Sequence, residues 1–202
     1  MNESGTGGLV GILLAAGRGE RFGGDKLLAK AAGEPDSANL AGECIGVSAC
    51  RNLLAVLPRV VAVVRPTDAA LAAALGAAGA RVVRCPNAGD GMGASLAFAV
   101  EATRDAGGWV VALADMPWVL PSTIARVAAA LAEGAPVAAP FHQGKRGHPV
   151  GFSAACYSSL SALTGDDGAK AVVAAHQDGL VRIDVDDAGT LKDIDRPSDL
   201  AP

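Results

Sequence analysis

Short apolar runs that stop abruptly at glycine, proline or charge recur along this chain. Leu9–Ala15 is the first, followed by Val60–Val64, Ala80–Arg84, Trp109–Ala114 and Pro136–Ala139. Runs this short, bounded by turn-forming residues, predict buried strands. Between them lie longer stretches rich in Ala and Leu, at Ala38–Leu57, Asp68–Ala78, Gly93–Asp105 and Ser122–Ala132, which predict helices. Strands alternating with helices imply βαβ units and a mainly parallel sheet with helices on both faces. The remainder reads as a polar loop at Phe141–Pro149, a strand at Val150–Ser153, helices at Ala154–Leu163 and Ala169–His176, and a strand at Leu180–Val185 before a turn at Asp187–Gly189.

Composition supports that picture. The chain has 202 residues, half of them apolar but only 3% aromatic, so its core must be built from small side chains packed closely. That length suits one domain, and no Pro-, Gly- or Ser-rich linker or internal repeat divides the chain. The fold class expected is a single three-layer α/β domain with a Rossmann-like sheet. A net charge of −4 argues against a nucleic-acid partner, which would demand a basic face. No apolar run reaches the ~18 residues of a membrane span. Met1–Gly8 lacks the basic stretch of a secretory leader, so a cytoplasmic location without membrane association is expected. Cys44, Cys50, Cys85 and Cys156 form no C-x-x-C pair, and free thiols in a reducing compartment are expected rather than structural zinc.

Three unusual loops, after Ala15, after Arg84 and after Ala114, follow predicted strands, and in an open parallel sheet such loops meet at one edge. The first runs from Ala15 to Lys26 and holds four glycines with Arg21 and Lys26. Small residues at Ala15, Ala16 and Gly17 allow close approach to the backbone, and glycines free N–H groups to face an anion. With a guanidinium fork and a point charge, the loop suits a triphosphate. It is neither a dinucleotide fingerprint, because Phe22 stands where a third small residue is needed, nor a P-loop, because Lys26 is not flanked by Gly and Ser or Thr. Asp115, directly after the Trp109–Ala114 strand and before Met116-Pro117, suits a hard cation, although a turn or cap would also use an Asp there. Near the end of the chain Asp193 and Asp195 lie two apart and share a face if extended.

These segments resemble the MobA-like nucleotidyltransferases, a branch of the glycosyltransferase-A-like superfamily, and most closely the molybdenum cofactor cytidylyltransferases. Leu14-Ala-Ala-Gly17, Arg21-Phe-Gly23 and Lys26 match the signature loop, Gly91-Met-Gly-Ala-Ser95 the base-holding segment, and Leu113-Ala-Asp115-Met-Pro117 the metal element. Gly147-His-Pro149, Gly165-Asp-Asp-Gly-Ala169 and Asp193-Ile-Asp195-Arg-Pro197 match the C-terminal pattern. The resemblance departs at Phe22, in place of the usual Met, and at Gly33-Glu-Pro35, where the compact Gly-x-Pro-Leu stretch is not continued.

The resemblance implies a nucleotide-binding half over about 9–120 and an acceptor-binding half over about 121–202. It implies Mg²⁺-dependent transfer of CMP from CTP to the phosphate of a molybdenum-bearing pterin, with pyrophosphate released. Arg21, Lys26 and Asp115 would be catalytic. Leu14, Ala15, Ala16, Gly17, Gly91 and Ser95 would hold the nucleotide, and Asp115 with Asp193 or Asp195 the metal. Arg146 and His148, with Asp166, would serve the acceptor, and Lys145 lies in the same loop. A molybdoenzyme or its maturation factor is the partner implied. Two alternatives stand beside this reading: guanylyl or other nucleotidyl transfer to a different phosphorylated acceptor, and a non-catalytic protein that delivers the pterin cofactor.

Overall fold

A computed structural model describes residues 7–17, 19, 22–30 and 42–200. Arg21 and the Gly33–Pro35 departure lie outside the described residues, as does the start of the helix expected from Ala38. The elements in chain order are β1 (Gly7–Leu14), α1 (Ile45–Leu54), β2 (Val60–Val64), α2 (Ala69–Ala77), β3 (Arg81–Arg84), α3 (Met92–Glu101) and β4 (Ala106–Leu113). They continue with α4 (Pro121–Ala132), β5 (Val137–His142), β6 (Lys145–Arg146), β7 (Val150–Ser153), α5 (Tyr157–Ser161), α6 (Lys170–Ala175) and β8 (Leu180–Asp184). The strands form one mixed sheet in the order β3-β2-β1-β4-β7-β5-β6, with β8 also paired to β5. Pairings among β1 to β4 are parallel, as is β5 with β8, while β7 runs antiparallel to both β4 and β5.

Successive side chains of a strand point to opposite faces, and the two cores divide accordingly. Leu13 of β1 with Val110 and Ala112 of β4 face α1, α2 and α4 through Leu53, Leu75, Ile124 and Val127. Val10 and Ile12 with Trp109 and Val111 face α3, α5 and α6 through Leu96, Leu160 and Val172. Central strands buried on both sides explain the continuous apolar runs in the sequence. Trp109, fully buried, donates its indole N–H to Thr103 Oγ1 at 2.9 Å, and Thr103 donates in turn to the Ala99 carbonyl at 2.7 Å.

Two expectations are corrected. The helix expected through Asp105 stops at Glu101, and β4 starts at Ala106, before the expected Trp109. Gly107-Gly108 reads locally as a break, yet Gly7 pairs with Ala106 and Leu9 with Gly108. A Cβ at Gly108 would stand 2.7 Å from the Phe152 carbonyl oxygen, so the glycine is where β7 packs closely. The polar loop at 141–149 is a hairpin. β5 runs on to His142, pairs antiparallel with β6, and turns through Gln143 and Gly144 at φ of 49° and 78°, the two-residue geometry that suits strand twist.

Candidate active site

β1 and β4 are parallel neighbours, so their carboxyl ends emerge side by side: Ala15 N donates to Val63 O at 2.9 Å and Ala114 N to Leu14 O at 3.1 Å. The chain beyond β1 closes into a short 3₁₀ turn at Lys26–Leu28. From it Lys26 Nζ donates to Asp115 Oδ2 at 2.8 Å and lies 3.6 Å from Asp195 Oδ1. The segment bearing Asp195 is fastened by main chain and core together. Ile194 N donates to Asp115 O at 3.0 Å, and the Ile194 side chain is fully buried with Ile45 and Trp118. With that residue pointing inward, oxygens of Asp115, Asp193 and Asp195 come within 4.8 Å of one another. All three donors are hard carboxylate oxygens, which fit a magnesium- or manganese-like cation.

These groups lie on the rim of a cavity of about 680 Å³, within the range that holds a nucleotide-sized ligand. Leu14, Ala15, Ala16, Gly17, Gly91 and Ser95 line it, as do Lys26, Asp115, Asp195 and Asp166. Asp193 belongs to the carboxylate trio but not to the lining. Arg146 and His148 do not line the cavity either; Arg146 is exposed on β6. Burial, reinforced by the Arg146 charge and opposed by Asp115, pushes the His148 imidazole down to about 4. The ring is therefore neutral at pH 7, and its buried Nδ1 finds no hydrogen-bond partner among the described residues.

Several supporting residues escaped the sequence reading. Arg65, directly after β2, lines the opposite wall and pairs with Asp68 at 2.9 Å; a basic residue at the carboxyl end of a buried strand was the available signal. Asn52 of α1 donates to the carbonyls of Pro117 and Val119 at 2.9 and 3.0 Å, holding the loop after β4. Asp199 accepts from the backbone N–H groups of Asp195 and Arg196 at 3.0 and 2.7 Å, bonds that hold its carboxyl below the usual range. Asp187, read only as a turn, is buried and ties the start of α4 to the C-terminal segment. It accepts from Leu120 N at 3.0 Å, Thr123 Oγ1 at 2.6 Å and Gly189 N at 3.0 Å. All four cysteines are free, and burial pushes the Cys50 thiol up to about 11.

The model of the MobA-like NTP transferase domain matches residues 11–180. The chain belongs to the MobA-like NTP transferase family. It is thus a nucleotidyltransferase by family, with a nucleoside triphosphate as its substrate class. It is 30% identical over 202 residues to the purine catabolism protein PucB of Bacillus subtilis strain 168, covering 95% of this chain and 93% of PucB. Among solved structures it is similar to Rv0371c of Mycobacterium tuberculosis H37Rv, at a TM-score of 0.78 and 25% identity over 97% of this chain and 96% of that one. A manganese complex of Rv0371c superposes at a TM-score of 0.68, with 23% identity over 88% of each chain. Molybdopterin-guanine dinucleotide biosynthesis protein A of Archaeoglobus fulgidus shares the fold at a TM-score of 0.63 and 20% identity, over 95% and 94%. Among the described residues no helix of this MobA-like protein is long and apolar enough to cross a membrane.

Proposed function

We propose that this protein transfers CMP from CTP to the terminal phosphate of a molybdenum-bearing pterin. The observation that carries the reading is the meeting of Lys26 with Asp115, Asp193 and Asp195 at the mouth of the cavity. An acceptor phosphate oxygen attacks the α-phosphorus in line; the new P–O bond forms as the bond to the bridging oxygen breaks, and its electron pair leaves with pyrophosphate. Such chemistry needs positioning and charge neutralisation rather than a covalent helper. A divalent cation, Mg²⁺ in this reading, supplies that neutralisation when held by Asp115 with Asp193 or Asp195. Lys26 turns from Asp115 to the β- and γ-phosphates, a task that Arg21, in the same stretch of sequence, would share. The backbone at Ala16 and Gly17 and the buried Ser95 hold the base. The Ala16 methyl group favours a pyrimidine by narrowing the space against a purine.

Transfer of GMP is the second reading, supported by a cavity of about 680 Å³, ample for a purine nucleotide. Pyrophosphate release measured with each of the four NTPs, Mg²⁺ and purified pterin cofactor tests both. The expected result is CTP-dependent release that Asp115→Ala abolishes. Tight cofactor binding with no release for any nucleotide would instead indicate a delivery protein.

A further inference from the structure

The loop Gly165–Ala169 is strapped onto the beginning of α3. Gly93 N donates to Gly165 O at 2.7 Å, and a Cβ at Gly93 would stand 2.6 Å from the Thr164 carbonyl oxygen. Gly91, at φ 114°, leaves no room for a Cβ either, because Asp166 Oδ1 and the Gly165 carbonyl oxygen occupy that place. Gly93 therefore makes space for the main chain of the loop, and Gly91 for the exposed Asp166 carboxylate at the cavity wall. Among the described residues Asp166 has neither a hydrogen-bond nor an ion-pair partner, although it lines the cavity beside Gly91 and Met92. Met92 is 42% exposed, and its sulfur lies close to Gly168 on the same loop.

We infer that Asp166 and Met92 form a specificity subsite for an amino-substituted heteroaromatic ring. The carboxylate accepts a hydrogen bond from the exocyclic amine, and the thioether covers the ring face. A carboxylate accepts but cannot donate, so a ring with a carbonyl at the amine's place meets repulsion instead of a bond, and burying the mismatch separates the two ligands. The nucleobase is the favoured source of this ring, because Asp166 lies against the Gly91–Ser95 segment. An aminopterin ring of the acceptor presents the same edge. The inference rests on the nucleotidyl-transfer reading for its ligands.

Calorimetric binding in Mg²⁺ without acceptor, so that no turnover occurs, tests it. CTP, UTP and 2-amino-4-oxopteridine are titrated into the wild type, Asp166→Asn and Asp166→Ala, with thermal melts in parallel. If the base is read, the wild type binds CTP at least tenfold tighter than UTP and Asp166→Asn removes that ratio. If the acceptor ring is read, pteridine binding weakens at least tenfold in both variants while the CTP-to-UTP ratio stays. A melting shift with all three ligands bound as before, or an equal loss for all three, overturns the subsite and leaves Asp166 a charge docked on the α3 terminus. A wild type that neither separates CTP from UTP nor binds pteridine overturns it as well. Asp166-dependent selectivity without pyrophosphate release in the full reaction would sink the transfer reading alone.

Discussion

Lys26→Met should change metal binding and turnover in opposite directions. The Lys26 side chain is only 11% exposed and its 2.8 Å contact meets an Asp115 side chain 26% exposed. At an effective dielectric of about 20 that contact has a gross attraction of roughly 6 kcal/mol. Desolvation of both groups offsets most of it, and the contact at 3.6 Å to the more exposed Asp195 is screened. A net strength of about 1–2 kcal/mol lies between the surface and buried extremes. Without nucleotide, the ammonium sits among the carboxylates a cation would need, so binding has to displace it. Removing it should tighten Mn²⁺ binding to the nucleotide-free protein about tenfold, since 1.4 kcal/mol corresponds to a factor of ten. Turnover should fall by roughly 10²- to 10³-fold, because the same ammonium no longer meets the phosphates. Electron paramagnetic resonance of free Mn²⁺, titrated against both proteins, reads the first effect, and pyrophosphate release the second. Weaker or unchanged Mn²⁺ binding in Lys26→Met would refute the displacement; near-normal turnover would refute the phosphate role.

Asp187→Ala strips acceptors from Leu120 N, Thr123 Oγ1 and Gly189 N and should cost about 3 kcal/mol. That corresponds to a melting drop of roughly 6–12 °C for a chain of this size, and an unchanged melt would count against it. Gly93→Ala ought to stabilise an ordinary helix by up to about 1 kcal/mol. Here the contact with Thr164 O at 2.6 Å reverses the sign, and urea denaturation should show a net loss. His148 adds a pH dependence. Its folded value of about 4 lies below the ordinary 6.5, so across that window the unfolded chain binds a proton the folded chain refuses. Stability should therefore fall by about 2–3 kcal/mol as pH drops from about 6.5 to about 4. His148→Phe should flatten this loss when denaturation is compared at the two ends of the window.

Local sequence carries information where the physics is local. Val60–Val64 reads as a buried strand because both its faces are covered, so no polar residue interrupts it. Gly107-Gly108 misleads for the opposite reason: its strand conformation comes from β1 and its glycine from the approach of β7. Lys145–Arg146 looks like a solvated loop because the edge hairpin it belongs to buries neither side chain. Arg65 carries only a weak signal, its place after a buried strand, until β2 is set beside β1 and the end of that strand becomes a wall of the cavity.

The sequence by itself determined the alternation of strands and helices, the glycine-rich turn after the first strand and the spacing of Asp193 and Asp195. Each depends on periodicity or on the conformational freedom of neighbouring residues. Only the tertiary structure decided which charges meet. Lys26 and Asp115 are 89 positions apart, and their contact follows from parallel strands ending at one level and from Ile194 being pulled into a core. The lowering of the His148 pKa follows from the same packing, because desolvation, its largest cause, depends on what surrounds the ring.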